Sequence, residues 1–166
     1  GFNNFSQICR KALHKPPAGP TFIMIIRLAN YSDIKAIKKI ADLLFVEMPD
    51  FIWNTEDFIK KQVEKGEYYV YEDEDRIIGI ISLRERNGML YIETLAVSKD
   101  IQSKGIGSKL VDFAKKFALE NGFKIMRTTS FYEYGVKDFW IKHGFRLLDE
   151  AGEYGGHKFY RFQFDL

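Results

Sequence analysis

The sequence is poor in the residues that hold metals and disulfides. Its single cysteine, Cys9, excludes an internal disulfide and a cluster of thiolate ligands. The three histidines are scattered along the chain, without the spacing of metal ligands. We therefore expect a metal-free protein, and the scarcity of cysteine favours a cytoplasmic location.

A strong net charge and a long apolar run are also missing. The 25 Lys and Arg residues almost balance the 23 Asp and Glu residues, which leaves a formal net charge of +2. Proteins that bind nucleic acid usually carry a much stronger positive field. The small net charge therefore gives no reason to expect nucleic acid as a partner. Because the apolar runs fall short of the roughly 20 residues that cross a bilayer, we do not expect a membrane as a partner either.

Proline is rare, and three of the four prolines lie at positions 16, 17 and 20. Residues 1–23 lack an apolar period, whereas Met24 opens a strand-like run. We interpret residues 1–23 as an N-terminal extension, either disordered or added by cloning. Residues 24–166 then form one domain, because the whole chain of 166 residues has the size of a single domain.

The sequence is rich in apolar and aromatic residues. Hydrophobic residues make up 46% of the chain, with 15 Phe and 9 Tyr, which is typical of an ordered globular protein. From Met24 onward, strand and helix patterns follow in the order β-α-α-β-β-β-α-β-α-β-β, which predicts a mixed α+β fold. The predicted elements are strands at 25–28, 68–71, 77–83, 89–97, 124–129, 146–148 and 158–164, and helices beginning near 32, 55, 105 and 136.

Two local patterns are especially clear. Asn87-Gly88 lies between apolar runs and predicts a tight hairpin, because both positions tolerate a positive φ. The helix from Gly105 carries apolar residues at three- and four-residue steps and ends at Asn121-Gly122. Ser32 is the predicted N-cap of the first helix, whose apolar stripe extends to Leu44 and Phe45.

The loop before the long helix has the features of an anion site. The first turn of a helix leaves about four N–H groups without partners and carries partial positive charge. Gly105 and Gly107 would allow a diphosphate to approach the backbone, while Lys104 and Lys109 supply counter-charge. The spacing fits neither a Walker A loop nor the dinucleotide fingerprint, since position 110 is Leu. The alternative is that the two glycines only ease a tight entry into the helix.

The wider segment resembles a known family. Gln102-x-x-Gly105-x-Gly107, preceded by the strand 94–97 and followed by an amphipathic helix, resembles the Gln/Arg-x-x-Gly-x-Gly/Ala motif of GNAT acetyltransferases. The opening 26–29 with Asp33, and the late segment 139–145 ending in Gly-Phe, are also similar to that family. The resemblance extends over residues 24–164 in the family's order of elements.

This resemblance implies a GNAT-like fold, with a mostly antiparallel central sheet and helices on both faces. A bulge would separate the fourth strand (89–97) from the fifth (124–129), and the pantetheine arm of acetyl-CoA would lie in the gap. Main-chain groups of Leu95 and Val97, with Ala96 between them, would bind this arm. The phosphates would bind at the loop whose residues are Gln102, Ser103, Lys104, Gly105, Ile106, Gly107 and Ser108.

The implied reaction is direct attack of a primary amine on the thioester in a ternary complex, which defines an N-acetyltransferase. The amine must lose a proton, and the leaving thiolate must gain one. Glu93, predicted on the same strand face as Leu95 and Val97, is the candidate that orients or deprotonates the amine. The alternative for Glu93 is a solvated carboxylate paired with a nearby Arg.

The sequence departs from the family at the acid. Trp140 stands where many members have a tyrosine, and an indole cannot protonate a thiolate. Glu133 replaces an asparagine that touches the pantetheine. Tyr132 and Tyr134 are the remaining candidates for the acid, although each also suits a surface or packing role. His143, in the last turn of its helix, fits a favourable interaction with the helix dipole.

The first two helices and their connection would build the acceptor site. They contain an aromatic and acidic mixture that suits a cationic amine, such as a small-molecule amine, a polyamine, or a protein lysine or N-terminus. This mixture consists of Phe45, Glu47, Met48, Asp50, Phe51, Trp53, Glu56 and Asp57.

Two alternatives to an acetyltransferase are a non-catalytic acyl-CoA-binding domain and an interaction domain without a cofactor. A monomer and a homodimer are both compatible with the sequence.

Overall fold

The computed structural model describes residues 24–102 and 104–166. The expectations for residues 1–23 and for Ser103 lie outside the described residues. The strands are β1 (Met24–Leu28), β2 (Tyr68–Asp73), β3 (Arg76–Arg86), β4 (Met89–Val97), β5 (Ile125–Phe131), β6 (Arg146–Leu147), β7 (Gly152–Tyr154) and β8 (His157–Asp165). The helices are α1 (Ile34–Ala41), α2 (Glu56–Glu64), α3 (Ile106–Glu120) and α4 (Lys137–Lys142).

The strands of the described residues form one sheet in the order β1-β2-β3-β4-β5-β8-β6, and β7 pairs with β8. The β4–β5 pair is parallel, whereas the other pairs within these residues are antiparallel. The predicted mostly antiparallel α+β fold is therefore confirmed. None of the helices in 24–102 and 104–166 combines the length and the apolar character that crossing a membrane requires.

Helices cover both faces of the sheet, as predicted. On one face α3 and α4 bury a large core that includes Leu110, Phe117 and Trp140. On the other face α1 and α2 bury a smaller core around Ile37 and Ile59. Each of these large side chains contributes about 1.5–3 kcal/mol when it is fully buried. A third cluster of Val46, Phe51 and Phe131 lies beneath the α1–α2 connection.

The start of α1 differs from the prediction. Ser32 is not the cap, because a 3-10 turn (Tyr31–Asp33) precedes α1 and Asn30 caps that turn. The Asn30 side chain accepts from the Ser32 N–H at 3.0 Å, and Asp33 accepts from the Asn30 N–H at 2.8 Å. The helix ends at Ala41, and a 3-10 turn follows. Phe45 takes an extended conformation and is 54% exposed, so its assignment to the buried stripe is wrong.

An ion-pair network joins β1 to this capped turn. Arg27 donates to Asp33 at 2.7 Å and to Glu72 at 2.9 Å. The hydrogen bond with Asp33 raises the pKa of Arg27 above its usual value. Burial acts to raise the pKa of Asp33, but the hydrogen bonds from Arg27 and from the Asn30 N–H hold it below its usual range. The network therefore fixes where α1 leaves the sheet.

Strand β7 was not predicted. Its three residues have no apolar alternation, and it pairs with β8 across Gly155 and Gly156, whose φ angles are +57° and +82°. A Cβ at Gly152 would lie 2.1 Å from the ring of Phe159, so this position needs glycine. The pairing depends on glycine conformation and on a close approach across the hairpin, and neither has a periodic pattern in sequence.

Candidate cofactor and acceptor site

A bulge in β4 lies at Glu93. Ser82 of β3 pairs with Thr94, but the next residue, Leu83, pairs with Ile92, so Glu93 is the extra residue of β4. A bulge of this kind bends the strand and changes the direction of the side chains that follow it. The structure therefore has the bulge that the resemblance implied for this strand.

The bulge reverses the alternation of β4. Leu90 and Ile92 lie in the core beneath α3, and after the bulge Leu95 and Val97 pack against that same core. Ala96 instead joins the core beneath α1 and α2. The prediction that Glu93 shares a face with Leu95 and Val97 is therefore wrong, because simple alternation does not hold across a bulge.

Strands β4 and β5 separate immediately after Ile92 of β4. Their register pairs Leu90–Ile92 with the β5 residues 126–128, and the Thr128 hydroxyl donates to the Ile92 carbonyl at 3.0 Å. The Ser98 N–H donates to Ile78 of β3 at 2.8 Å. Since antiparallel strands alternate the direction of their main-chain groups, those of Leu95 and Val97 point away from β3. They face the gap between β4 and β5.

The first turn of α3 lies at the end of this gap. Gly105 has a φ of +77° and occupies the N-cap, where no side chain of the described residues caps the helix. The helical ladder begins with the Lys109 N–H, which donates to the Gly105 carbonyl at 3.1 Å. The N–H groups of Ile106, Gly107 and Ser108 precede that bond, so they are available to an anion.

The loop before α3 is held by side chains. Gln102 donates to the Val97 carbonyl at 3.2 Å, and Ser98 donates to Asp100 at 2.7 Å. The hydrogen bond from Arg76, followed by that from Ser98, lowers the pKa of Asp100 to about 2. Lys104 is exposed beside this turn. The side chain of Ile106 is buried in the core, so only its main chain can contact a ligand.

Glu93 lies at the other end of the gap, in an ionic cluster. Its carboxylate accepts from Arg86 at 2.8 Å and from the Trp53 indole at 3.3 Å, and Arg84 lies 3.7 Å away. Arg84 also lies 3.7 Å from Glu67. Burial raises the pKa of Glu67, although the positive charges of Arg84 and Lys65 act to lower it. The pairing with arginine is the alternative that the sequence left open for Glu93.

The two arginines and Glu67 were missed by sequence reasoning. The hairpin register set by Asn87-Gly88 is the signal that could have found Arg84, because it pairs Arg84 with Tyr91 and so brings this arginine near Glu93. Glu67 had no such signal, because it lies in the loop before β2.

Aromatic rings lead from the surface to Glu93 along the acceptor loop, which we define as residues 45–55. Phe45 contacts Phe51 with ring centroids 5.3 Å apart, and Phe51 contacts Trp53 at 5.1 Å. Trp53 also meets Tyr154 of β7 at 5.4 Å. These edge-to-face contacts give the loop a preferred packing.

Three side chains from the C-terminal part of the chain bond the carbonyls in and beside the acceptor loop. These carbonyls occur at three-residue intervals, so the loop is anchored along its length. The Nε2 of His157 faces the loop carbonyl, and its Nδ1 meets the carboxylate of Glu133. The pairs are Tyr134 with Leu44 (2.6 Å), His157 with Glu47 (3.0 Å) and Tyr154 with Asp50 (3.1 Å).

The remaining predicted residues lie in different surroundings. The hydroxyl of Tyr134 is directed to Leu44, and burial raises its pKa. Tyr132 is 41% exposed and stacks on Tyr160 with centroids 4.1 Å apart. Trp140 is 4% exposed and packs on Phe145, so its indole offers little surface to a ligand.

Comparison with curated proteins gives relatives that this chain matches over part of their length. Streptothricin acetyltransferase A of Bacillus subtilis (strain 168) is 37% identical over 79 residues, and the matched part covers 46% of this chain and 46% of the relative. A second relative, tRNA(Met) cytidine acetyltransferase TmcA of Aeropyrum pernix, is 34% identical over 68 residues, which is 41% of this chain and 8% of its own length. The chain thus spans about half the length of the Bacillus relative and a small part of the Aeropyrum relative.

Solved structures and a family model define the class. PaiA N-acetyltransferase of Thermoplasma acidophilum, solved with coenzyme A, matches with a TM-score of 0.70 and 16% identity, over 85% of this chain and 99% of its own. Ard1 of Thermoplasma volcanium matches with a TM-score of 0.75 and 19% identity, over 86% and 97%. The protein therefore has the fold of an N-acetyltransferase. The model of the Acetyltransferase (GNAT) family matches residues 36–145, so the chain belongs to the GNAT acetyltransferases.

Proposed function

We propose that this protein is an acetyl-CoA-dependent N-acetyltransferase that acts on a primary amine by direct attack in a ternary complex. The observation that carries the proposal is the open edge of β4 at Leu95 and Val97, which leads to the uncapped first turn of α3. The main-chain groups of Leu95, the Val97 N–H and the first helix N–H groups require partners, whereas the Val97 carbonyl already accepts from Gln102. An extended arm ending in phosphates supplies these partners.

Each part of the gap has its own role in binding. The main-chain N–H and C=O of Leu95 and the N–H of Val97 bind the pantetheine amides as an added strand would, with Ala96 anchoring β4 to the opposite core. The N–H groups of residues 106–108 bind the diphosphate, and Lys104 and Lys109 add positive charge. Gln102 keeps the loop against Val97, so its role is to hold the loop in place.

The acetyl transfer needs an oriented, deprotonated amine. When bound, acetyl-CoA supplies the thioester: the new N–C bond forms, the C–S bond breaks, and the thiolate takes a proton. Glu93 attracts and orients the cationic acceptor, and water takes the amine proton, because Glu93 already accepts hydrogen bonds from Arg86 and Trp53. The Tyr134 hydroxyl donates to the Leu44 carbonyl and is therefore not free to protonate the thiolate. This leaves Tyr132 or water as the acid.

The acceptor is a cationic amine. Trp53 donates its indole N–H to Glu93 and packs edge-to-face with Tyr154, and the faces of such aromatic rings attract cations. The Bacillus relative is named for streptothricin, so this compound belongs in the acceptor panel beside polyamines, lysine peptides and peptides with free N-termini.

Gly107 provides the test of the cofactor site. A Cβ at Gly107 would lie 3.4 Å from the Phe139 ring, which is an ordinary contact, so Gly107→Ala should fold and bind normally. Gly107→Glu adds a negative charge where the diphosphate binds, and we expect it to lower the affinity for acetyl-CoA by at least about 100-fold. Calorimetric titration with acetyl-CoA and CoA measures this, and thermal melting confirms the folding of both variants.

The outcomes separate the candidates. Loss of binding in Gly107→Glu but not in Gly107→Ala supports the cofactor site, and thiol release with one amine of the panel supports the transferase. Failure of the unsubstituted protein to bind acetyl-CoA would overturn the proposal. Binding without turnover of any amine would instead favour a non-catalytic acyl-CoA-binding domain, for which the buried Trp140 and the engaged Tyr134 are the supporting observations.

A further inference from the structure

Helix α4 packs directly on the first turn of α3. The ring of Phe139 lies 3.4 Å from the position that a Cβ of Gly107 would take. Immediately after the last residue of α4, the Nε2 of His143 lies 3.0 Å from the Ser108 hydroxyl oxygen. The rings of Phe139 and His143 contact each other with centroids 4.6 Å apart. Two side chains, Phe139 in α4 and His143 at its C-terminal end, therefore contact the turn whose N–H groups face the proposed phosphates.

The surroundings of His143 favour its neutral form. Burial lowers the pKa of His143, and the positive charges of Lys115 and Lys142 lower it further, whereas Asp112 raises it. The Lys115 ammonium donates to the His143 carbonyl, which keeps this positive charge beside the ring. A neutral imidazole carries one N–H, so its Nε2 either donates to Ser108 or accepts from it.

We propose that His143 is a positioning residue for the cofactor diphosphate, because it donates its Nε2–H to the Ser108 hydroxyl and thereby directs the Ser108 proton to a diphosphate oxygen. This inference rests on the proposed function. Ser108 has a single proton to donate, and a diphosphate oxygen only accepts. When the diphosphate binds, the Ser108 hydroxyl donates its hydrogen bond to a diphosphate oxygen. The His143 nitrogen must then be the donor in the hydrogen bond between His143 and Ser108.

The role is specific to the phosphates, and its effects should show that. His143 acts through Ser108, which lies in the diphosphate site, and not through the gap where the pantetheine and the thioester bind. Loss of His143 should therefore weaken ligands that carry the diphosphate and leave ligands without it unchanged. A histidine that only supports α4 would affect both kinds of ligand equally.

Affinity for CoA and turnover of S-acetylpantetheine, which lacks phosphates, test the inference. We expect His143→Ala to weaken CoA binding roughly 5- to 10-fold, the usual effect of one lost hydrogen bond near a charged ligand. His143→Gln should restore most of the affinity, because an amide N–H can replace the Nε2–H. In a Ser108→Ala background, His143→Ala should have no further effect. Ile141→Ala, an exposed neighbour on α4, is the matched control.

A spectroscopic measurement complements the titrations. The 15N chemical shifts of the His143 ring should report a protonated Nε2 once CoA is bound. Equal CoA affinity of the unsubstituted protein and His143→Ala, or an equal loss with S-acetylpantetheine, would overturn this inference alone. Failure of the unsubstituted protein to bind CoA would overturn the proposed function and this inference with it.

Discussion

At the scale of single residues, the position of Glu93 shows how one inserted residue changes the surroundings of a side chain. As the extra residue of the β4 bulge, Glu93 is separated from the face of Leu95 and Val97. Its carboxylate meets Arg86 and Trp53 at the end of the acceptor loop. Glu93 is thus placed beside the aromatic rings that lead to the surface, where a cationic acceptor would enter.

Replacing Glu93 tests its proposed role. Glu93→Gln removes the charge that attracts the ammonium group, so we expect the KM for a cationic acceptor to rise roughly 10-fold. The affinity for acetyl-CoA should stay unchanged. Steady-state kinetics with the best amine of the panel measures the acceptor KM, and calorimetry measures the affinity for acetyl-CoA.

Glu85→Gln is the matched control, because Glu85 is exposed on the same hairpin. A different result would assign a different role to Glu93. If kcat falls more than about 100-fold while the acceptor KM is unchanged, Glu93 is the general base and our assignment of this residue is wrong.

At the scale of elements, the acceptor loop depends on the C-terminal half of the chain for its conformation. Side chains of Tyr134, Tyr154 and His157 bond carbonyls at regular intervals in and beside this loop. A loop with anchored carbonyls loses less conformational entropy when it binds an acceptor. The loop therefore presents Trp53 in a defined position.

Tyr134→Phe removes one of these anchors. We expect it to lower the free energy of unfolding by about 1 kcal/mol, the usual contribution of one hydrogen bond, and to raise the acceptor KM. The affinity for acetyl-CoA should not change, because Leu44 lies outside the cofactor gap. Thermal melting and steady-state kinetics measure these effects.

Tyr31→Phe is the control, since Tyr31 lies just before α1, is 61% exposed and bonds Glu64 of α2, away from the acceptor loop. Burial and the nearby Glu133 raise the pKa of Tyr134, so its hydroxyl stays protonated well into the alkaline range. A fall of more than about 100-fold in kcat, with unchanged stability, would contradict the anchoring role and identify Tyr134 as the acid.

At the scale of the whole molecule, the sheet is divided at its centre. The register between β4 and β5 covers only Leu90–Ile92 on the β4 side. Beyond Ile92, β5 continues in its pairing with β8, and β4 continues in its pairing with β3. A ligand in the gap contacts both halves, so its binding should stabilise the whole fold.

Hydrogen exchange tests this view of the sheet. The amides of Leu95 and Val97 should exchange quickly in the free protein and slowly with CoA, because no strand of residues 24–102 and 104–166 pairs with this edge and the ligand provides the acceptors. The Ser98 amide, which donates to Ile78, should be protected in both states and serves as the internal control. At 100 times Kd, CoA should also add about 2.7 kcal/mol of stability, a rise of roughly 5–10 °C in Tm. Unchanged exchange at Leu95 and Val97 with CoA bound would contradict the added-strand arrangement.

The features that sequence alone determined are local ones. The hairpin at Asn87-Gly88 has φ angles of +52° and +76°, as that dipeptide predicts. The end of α3 at Gly122, with a φ of +78°, also matches its sequence pattern. Both depend on the conformational preferences of a few neighbouring residues, so their pattern is written in consecutive letters. Apart from β7, the order of the strands and α-helices followed from apolar periodicity in the same way.

Only the tertiary structure decided the contacts of the candidate site. The bulge at Glu93 arises from the register between two strands, and the cluster with Arg86 and Trp53 follows from that register. Ser108 and His143 are 35 residues apart in sequence and meet only because α4 packs on α3. Such contacts depend on how elements pack, and packing is a property of the whole chain that no short segment encodes.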